Sequence, residues 1–394
     1  MITRILKALK TLLKAKYTFE EPKNYNLILF DDVSTEHVKE LLKNYKYFYL
    51  KTRIERIDKI YLSLRIFLLC LKNFRGNPLN AYLLSLIDII GPKVIFTFND
   101  NSFKFSDFAR LKHKEYKFVA LQNGARYEHK IIKHLYKEKK INQNYGKLFI
   151  PYFLCFGQHE IEDYKRNKIQ VKNFTKVGSL KITNFLNELN KKKLAIKKDL
   201  YDVCLISDAF CWDEILDKTN FPIEDGVAKL LKFVVRFSIK NRINLVLATR
   251  APIKDSIEKE MNFYKRNLTN FEFNYLSKRF FFRKKPFHTY KLMQESKVVI
   301  GTMSTTLREN LFMNGKILAC NFTKTNIFDF PIEGICFLKE CNYNIFEKRL
   351  LKILSISKKN FFSKMRKNPT FVVENNKRKS TIKSVRNKID LLLR

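Results

Sequence analysis

Short apolar runs alternate with amphipathic helical patterns along most of the chain. In the first half, apolar runs predict strands at 27–30, 47–50, 94–98 and 118–121, with helical patterns at 34–44 and 61–72. A second series follows residue 200, with predicted strands at 203–206, 245–248, 271–275, 298–300 and 317–320 and a helix over 226–240. This alternation is typical of βαβ units in a parallel sheet. We therefore predict two Rossmann-like α/β halves.

The boundary between the halves is predicted from a change in composition. Residues 181–200 are rich in Lys and Asn and have no strong strand pattern, so we place a hinge there. A chain of 394 residues also suits two domains better than one. The predicted units are 1–190, 200–356 and a basic tail at 357–394 that ends in a helical pattern over 380–393.

The N-terminus carries an amphipathic pattern. Within residues 1–16 the apolar side chains share one helical face, and the polar side chains before Glu20 are basic or uncharged. This pattern favours two interpretations equally: a helix docked on its own domain, or an interfacial helix on an anionic membrane surface. Lys7, Lys10 and Lys14 interrupt the apolar core that a signal peptide needs, and no run approaches 18 apolar residues. We expect a cytoplasmic protein, peripheral at the inner face of the membrane under the second interpretation.

The net charge limits the classes of binding partner but does not identify one. The chain has 77 Lys and Arg against 38 Asp and Glu, a formal charge of +39 that favours anionic partners. Nucleic acid, lipid headgroups and nucleotide-activated substrates all qualify, and much of the lysine accompanies abundant Asn, Ile and Phe. The seven cysteines form no C-x-x-C pair, and we expect them to be reduced.

The segment 298–306 is the strongest local indication of chemistry. An apolar strand enters a hydroxyl-rich turn, and a helical pattern follows. Backbone amides at a helix start, the helix dipole and several hydroxyls together suit a phosphate. The alternative is pure architecture, because Thr306 and Glu309 have capping-box spacing. The predicted donor-binding residues here are Gly301, Thr302, Ser304, Thr305, Thr306 and Glu309.

In the first half, two polar turns follow buried strands. Asp100 and Asn101 follow the strand at 94–98, and Asp100 is our candidate for the general base; a simple turn is the equal alternative. Asp31 and Asp32 are reserve candidates. The next strand leads into a turn that predicts acceptor or cleft contacts, with a solvated basic face as the alternative for its arginine. Its residues are Gln122, Asn123, Gly124 and Arg126.

Further donor contacts are predicted from turns near the proposed cleft. Gly178 and Ser179 follow a short strand just before the hinge, Arg250 follows the strand at 245–248, and His288 lies near a helix start. A lone histidine is more often structural. The sequence has no metal-ligand spacing, D-x-D triplet or Walker-type loop. We expect no cofactor and no metal, so the helix dipole and basic side chains would neutralise a diphosphate leaving group.

Taken in order, these segments resemble a family of surface-carbohydrate and O-antigen biosynthesis proteins, similar in design to GT-B glycosyltransferases and CDP-glycerol glycerophosphotransferases. The resemblance covers roughly residues 94–320 and depends on the order of weak motifs. Those motifs are 98–102, 121–124 with Arg126, 156–157, 177–179, 299–301 and 304–305.

The resemblance implies a GT-B-like α/β fold with two Rossmann-like domains facing a cleft. It places a nucleotide-activated donor mainly on the C-terminal domain and an acceptor mainly on the N-terminal one. The implied enzyme is a glycosyltransferase acting on a surface polysaccharide or lipid-linked glycan.

The sequence is also compatible with three other functions. Glycerophosphotransferases carry Gln-His-Gly where this chain has Asn123, which weakens that alternative and leaves the base unassigned. Aromatic and basic residues alternate over 280–285, yet no nucleic-acid-binding motif supports that function. A scaffold at the membrane surface is the third alternative.

Overall fold

The computed structural model describes residues 11–31, 35–127, 130–131, 148–191, 195–208, 223–249, 254–282, 287–374 and 380–394, with the backbone alone for 254–256. The strands are β1 Lys16–Thr18, β2 Leu27–Phe30, β3 Tyr47–Leu50, β4 Lys59–Tyr61, β5 Val94–Thr97, β6 Lys117–Leu121, β7 Phe149–Cys155, β8 Gln170–Lys176, β9 Tyr201–Ile206, β10 Leu245–Ala248, β11 Phe280–Phe281, β12 Ser296–Gly301, β13 Lys316–Cys320 and β14 Phe337–Leu338.

The α-helices of the same ranges are α1 Lys39–Leu42, α2 Leu64–Asn73, α3 Pro78–Ile90, α4 Phe103–Lys112, α5 Gln158–Arg166, α6 Leu180–Asn190, α7 Glu224–Lys240, α8 Lys254–Asn267, α9 Asn270–Ser277, α10 His288–Gln294, α11 Thr305–Phe312, α12 Tyr343–Ser355, α13 Lys358–Ser363 and α14 Thr381–Leu393.

The first half is built on a parallel sheet in the order β3-β2-β5-β6-β7-β8. Alternate side chains of each strand enter different apolar clusters: Ile28 packs with α3 and α4, whereas Leu29 packs with α1 and α14. Helices cover both faces, which explains why the inner strands are continuously apolar.

The second half is a parallel sheet in the order β11-β10-β9-β12-β13-β14. Counted within this half, the strands run 3-2-1-4-5-6, the order of Rossmann-type sheets. The predicted α/β class with two Rossmann-like halves is therefore confirmed. Most predicted strands also match in position.

The strand predicted at 271–275 is wrong. These residues lie in α9, which begins at a capping box: the Thr269 hydroxyl accepts from the Glu272 amide, and the Glu272 carboxylate accepts from the Thr269 amide. The aromatic and β-compatible residues there suggested a strand, but the cap satisfies the amides that a helix start leaves free. β11, separated from α9 by two residues, is the strand that joins the sheet.

Both ends of the chain pack against the first half. Ile382, Val385 and Ile389 of α14 lie in the apolar cluster under β2 and β5, and Arg386 donates from Nε to the Leu41 carbonyl at 2.9 Å. Residues 11–14 are helical, with Leu12 packed against Ala15 and the neighbouring cluster. The rest of the predicted helix 1–16, residues 1–10, lies outside the described residues.

Candidate functional site

The carboxyl ends of the two sheets carry the polar residues that the sequence singled out. In an open α/β sheet, ligands bind beyond the carboxyl ends where the strand order reverses. In the second half that point lies between β9 and β12, followed by Asp208 and by Thr302. In the first half it lies between β2 and β5, followed by Asp31 and by Asn99.

Asp208 occupies two backbone amides of the predicted phosphate turn. Its carboxylate accepts from the Thr302 amide at 2.5 Å and from the Met303 amide at 3.3 Å. Asp208 and Thr302 both border a cavity of about 20 Å³, and the buried Thr302 hydroxyl has no hydrogen-bond partner among the described residues. A volume of that size fits one water molecule. Gly301 and Thr302 therefore lie behind a carboxylate rather than at an open surface.

The start of α11 lies closer to the opposite half. Ser304 caps the helix by accepting from the Thr306 amide, and the Ser304 and Thr306 hydroxyls are 2.7 Å apart. Both side chains are half-buried. The predicted capping box of Thr306 and Glu309 does not form, because Ser304 is the cap and Glu309 bonds elsewhere.

One hydrogen bond joins the two predicted site segments. The Ala125 amide donates to the Thr305 hydroxyl at 2.7 Å, across 180 residues of sequence. A Cβ on Gly124 would lie 3.2 Å from that same hydroxyl oxygen, so glycine permits the close approach. The donor turn predicted in the second half and the acceptor turn predicted in the first are thus in contact.

The turn at 122–126 is held by its own polar side chains. Gln122 is fully buried, donates to the Gly124 carbonyl at 2.9 Å and accepts from the Phe156 amide at 2.7 Å. The Arg126 guanidinium forms a two-point ion pair with Asp100 and also donates to the Asn123 side chain. The backbone amide of Asn123 donates to the Asp100 carboxylate at 3.1 Å. Asp100 therefore fixes the turn at 122–126. This is the arrangement expected of a residue that positions other side chains of a site.

Asp31 lies at the switch point of the first sheet. It is buried and has a positive φ of 70°, an unusual conformation for a residue with a side chain. The side-chain amide of Asn99 donates to one carboxylate oxygen of Asp31 at 3.4 Å, and Nε of Arg53 lies 3.6 Å from the other oxygen. Nearby, Lys104 donates to the Thr52 carbonyl at 2.7 Å, and burial lowers its pKa.

Glu309 and Ser179, predicted separately as donor contacts, meet between the halves. The Ser179 hydroxyl donates to one oxygen of Glu309 at 2.6 Å, and the Tyr290 hydroxyl donates to the other at 2.8 Å. Burial raises the pKa of Glu309, while the positive charge of Lys181 opposes that shift. Lys181 also donates to the Asn123 carbonyl at 2.8 Å. These contacts tie α11 to α6 and to the turn at 122–126.

A buried ion pair lies beside this contact. Arg308 of α11 donates to Glu160 of α5, and both side chains are almost completely buried. Burial raises the pKa of Glu160, and Arg308 opposes that effect. Burial together with the Arg308 charge lowers the pKa of His159 to about 2. The pair is a further polar link between the halves.

The other predicted residues lie at several places. Gly178 has φ of +80°, and a Cβ there would lie 2.7 Å from the Glu374 carbonyl, so it faces the returning chain. His288 is half-buried at the start of α10, with its ring 5.5 Å from that of Phe281. Asn101 precedes the Ser102 cap of α4. Arg250 and Asp32 lie outside the described residues.

Three other properties bear on the site. In the described ranges, no group of His, Cys, Asp and Glu side chains is arranged to hold a metal ion. No helix in those ranges is both long and apolar enough to cross a membrane. Two larger cavities lie elsewhere: about 380 Å³ between the C-terminal end of α11 and α13, and about 340 Å³ beside edge strand β3.

The sequence matches no protein-family model and none of the curated proteins. Among solved structures, UDP-GlcNAc 2-epimerase from Methanocaldococcus jannaschii in complex with UDP-GlcNAc and UDP is similar over 93% of this chain and 99% of that one, at 10% identity and a TM-score of 0.53. The fold is GT-B-like. A second structure of that epimerase covers 92% of this chain and 99% of its own at 12% identity and a TM-score of 0.50.

The wall teichoic acid polymerase TagF is similar at a TM-score of only 0.46, with 10% identity, over 100% of this chain and 98% of that one.

Sequence reasoning missed several residues of the cleft. Asp208 lies two residues after the end of β9, much as Asp31 lies one residue after the end of β2, and a polar residue just beyond a buried strand would have identified it. Arg308, Glu160, Lys181 and Tyr290 gave no comparable indication, because each is one polar residue within a helix.

Proposed function

We propose that this protein is a GT-B-type glycosyltransferase that moves a sugar from a nucleotide-activated donor to a surface polysaccharide or lipid-linked glycan. The observation that carries the proposal is the 2.7 Å bond between the Ala125 amide and the Thr305 hydroxyl. It brings the polar turn at the second switch point against the polar turn of the first half. A cleft between two such edges suits a donor on one side and an acceptor on the other.

The donor phosphates are assigned to the start of α11. The Thr302 and Met303 amides already bind Asp208, which leaves the half-buried Ser304 and Thr306 hydroxyls as the phosphate contacts that we propose. The positive end of the helix dipole supports an anion there. Glu309 has both oxygens engaged by Ser179 and Tyr290, so we propose that it holds the two halves together.

The acceptor side is assigned to the edge of the first sheet. Asp100, our candidate base from the sequence, has both oxygens paired with Arg126, so a positioning role suits it better. Asp31 lies at the switch point itself, and we propose it as the group that accepts the proton from the acceptor hydroxyl. We also propose that the enzyme is cytoplasmic and lies peripherally at the membrane. A surface glycan as its product suits O-antigen synthesis.

The first experiment is calorimetry of the full chain with UDP, UDP-GlcNAc, CDP, CDP-glycerol and a short DNA duplex. UDP comes first because the epimerase structure that this chain resembles holds UDP and UDP-GlcNAc. Selective binding of one sugar nucleotide, followed by transfer to a glycan acceptor, would support the proposal. Selective use of CDP-glycerol would favour glycerophosphate transfer, and salt-sensitive binding of DNA alone would favour the nucleic-acid alternative.

The site assignment has a matched pair of variants. Ser304→Ala removes a helix cap at the cleft, and Ser357→Ala removes an equivalent cap at α13. Each change should destabilise its helix by about 1 kcal/mol. Only Ser304→Ala should weaken nucleotide binding, by about tenfold or more, because hydrogen bonds to a charged phosphate are strong. Equal affinity in both variants would remove the start of α11 from the donor site.

A further inference from the structure

Helix α2 has an apolar face that the other described residues leave uncovered. One side of the helix packs on the first half, with Ile66 buried and Leu69 against its core. The opposite side presents a stripe of large apolar side chains that are 54% to 75% exposed. These are Leu64, Phe67, Leu68, Leu71 and, one residue beyond the helix, Phe74.

This spacing places the exposed side chains on one helical face. Residues three and four apart are neighbours on a helix surface, so Leu64, Leu68 and Leu71 adjoin one another. A helix on a globular surface normally turns charged and polar residues outward. Large contiguous apolar patches on a soluble surface usually mark an interaction site. The outward face of α2 is therefore unusual.

The patch continues onto the segment that follows β1. β1 pairs with β4, and the Leu62 amide donates to the Thr18 carbonyl at 2.8 Å, which sets Phe19 beside the start of α2. Phe19 is 81% exposed. Two separate parts of the chain thus present apolar side chains in the same region.

The charges around the patch are mainly positive. No acidic residue occurs from Lys59 through Ile87, whereas Arg65 and Lys72 are both exposed on α2. These two lie seven residues apart, so they follow the same flank of the helix. Glu20 and Glu21, both exposed next to Phe19, are the acidic exceptions, and Glu21 lies 3.2 Å from Arg65. The apolar stripe of α2 is therefore bordered mainly by positive charge.

We propose that the outward face of α2, together with Phe19, docks on an anionic lipid bilayer. An interfacial helix buries leucine and phenylalanine at the headgroup boundary and extends Lys and Arg toward anionic headgroups. The chain's charge of +39 adds long-range attraction to such a surface. An apolar protein partner would not explain the basic border. The inference involves a different element from the N-terminal helix pattern and does not depend on the transfer reaction.

The test is flotation of the full chain with mixed phosphatidylcholine and phosphatidylglycerol vesicles, against pure phosphatidylcholine vesicles. The variant Leu68→Gln/Leu71→Gln removes two exposed leucines, and glutamine keeps a good helix propensity. Its matched control is Leu351→Gln/Leu391→Gln, because those leucines are 44% and 60% exposed on α12 and α14. The α2 variant should lose at least about tenfold in binding to mixed vesicles, and the control should bind like the native chain.

A second measurement locates the surface in the bilayer. Phe67→Trp, in a chain whose single tryptophan is replaced by Trp212→Phe, should be quenched by brominated lipids when mixed vesicles are added. Phe271→Trp, at a position 68% exposed on α9, should not be quenched. Three results would overturn the proposal: no vesicle binding by the native chain, unchanged binding by the α2 variant, or a native dimer that the α2 variant dissociates.

Discussion

The Asp208 carboxylate binds the Thr302 amide at 2.5 Å, at the point where the second sheet reverses its strand order. Together with the Met303 amide, 3.3 Å from the same oxygen, this arrangement resembles an anion held by a strand-to-helix turn. The anion is supplied by the protein itself. Asp208 therefore fixes the turn that leads into α11 before any ligand is present.

Replacing Asp208 should test that role. Asp208→Ala leaves two buried amides without an acceptor and should lower the free energy of unfolding by roughly 2–4 kcal/mol. Asp208→Asn keeps one acceptor oxygen and should lose less than half of that. Urea denaturation of the three proteins measures the difference. Inorganic phosphate should raise the Tm of Asp208→Ala more than that of the native chain, and an alanine variant as stable as the native would contradict the role.

The two acids of the first sheet should behave differently. Asp100→Asn breaks a buried pair with Arg126 and should lower the free energy of unfolding by about 3–5 kcal/mol, because the guanidinium loses its partner. Asp31→Asn should change stability much less and should lower kcat by about a hundredfold or more if Asp31 accepts the proton. Denaturation and a transfer assay separate the two effects. Full activity of Asp31→Asn would return the base assignment to Asp100.

The sequence predicted the sheets more reliably than the contacts between them. Runs such as 27–30 and 203–206 are buried on both faces of a parallel sheet, so their composition alone identifies them. The segment 271–275 misled because the cap at Thr269 and Glu272 outweighs its strand-like composition. In both cases, residues close together in the sequence determine which element forms.

The candidate site was predicted as separate turns, not as an arrangement. Polar residues after buried strands pointed to Asp100, Gly124 and Thr305, since ligand-binding edges are built that way. The partners of these residues depend on how the two halves pack. The pattern of apolar and polar residues along the sequence does not predict that packing. The pair of Ser179 with Glu309, 130 residues apart, is the clearest example.

Glu309 predicts a pH dependence of stability. Burial raises its pKa above the ordinary 4.5, so the folded protein holds an extra proton between that value and the raised pKa. The stability from this proton is complete below pH 4.5 and is lost as the pH rises through the folded pKa.

Glu309→Gln keeps hydrogen-bonding groups toward Ser179 and Tyr290 but cannot titrate. The native chain should lose stability relative to Glu309→Gln as the pH rises from about 4 to about 8, by about 1.4 kcal/mol for each unit by which the native pKa is raised. Denaturation of both proteins across that range measures the loss. Glu309→Ala, which leaves both hydroxyls without an acceptor, serves as the destabilised control. Identical pH slopes for the native and glutamine proteins would show that Glu309 is not shifted.

The contact of Gly124 with Thr305 predicts an energetic coupling between the halves. A Cβ at position 124 would come within 3.2 Å of the Thr305 hydroxyl oxygen, which itself accepts from the Ala125 amide at 2.7 Å. Gly124→Ala should therefore push the two turns apart and lower the free energy of unfolding by about 1–3 kcal/mol. In a Thr305→Ala background, the hydroxyl that the new Cβ would meet and its hydrogen bond with the Ala125 amide are already absent. Gly124→Ala should therefore lower the free energy of unfolding by less in that background. A double-mutant cycle should give a coupling of at least about 0.5 kcal/mol, with Thr305→Ser as the control that keeps the hydroxyl. A coupling near zero would mean that the turns do not meet in solution, and the proposed cleft would lose the contact on which it depends.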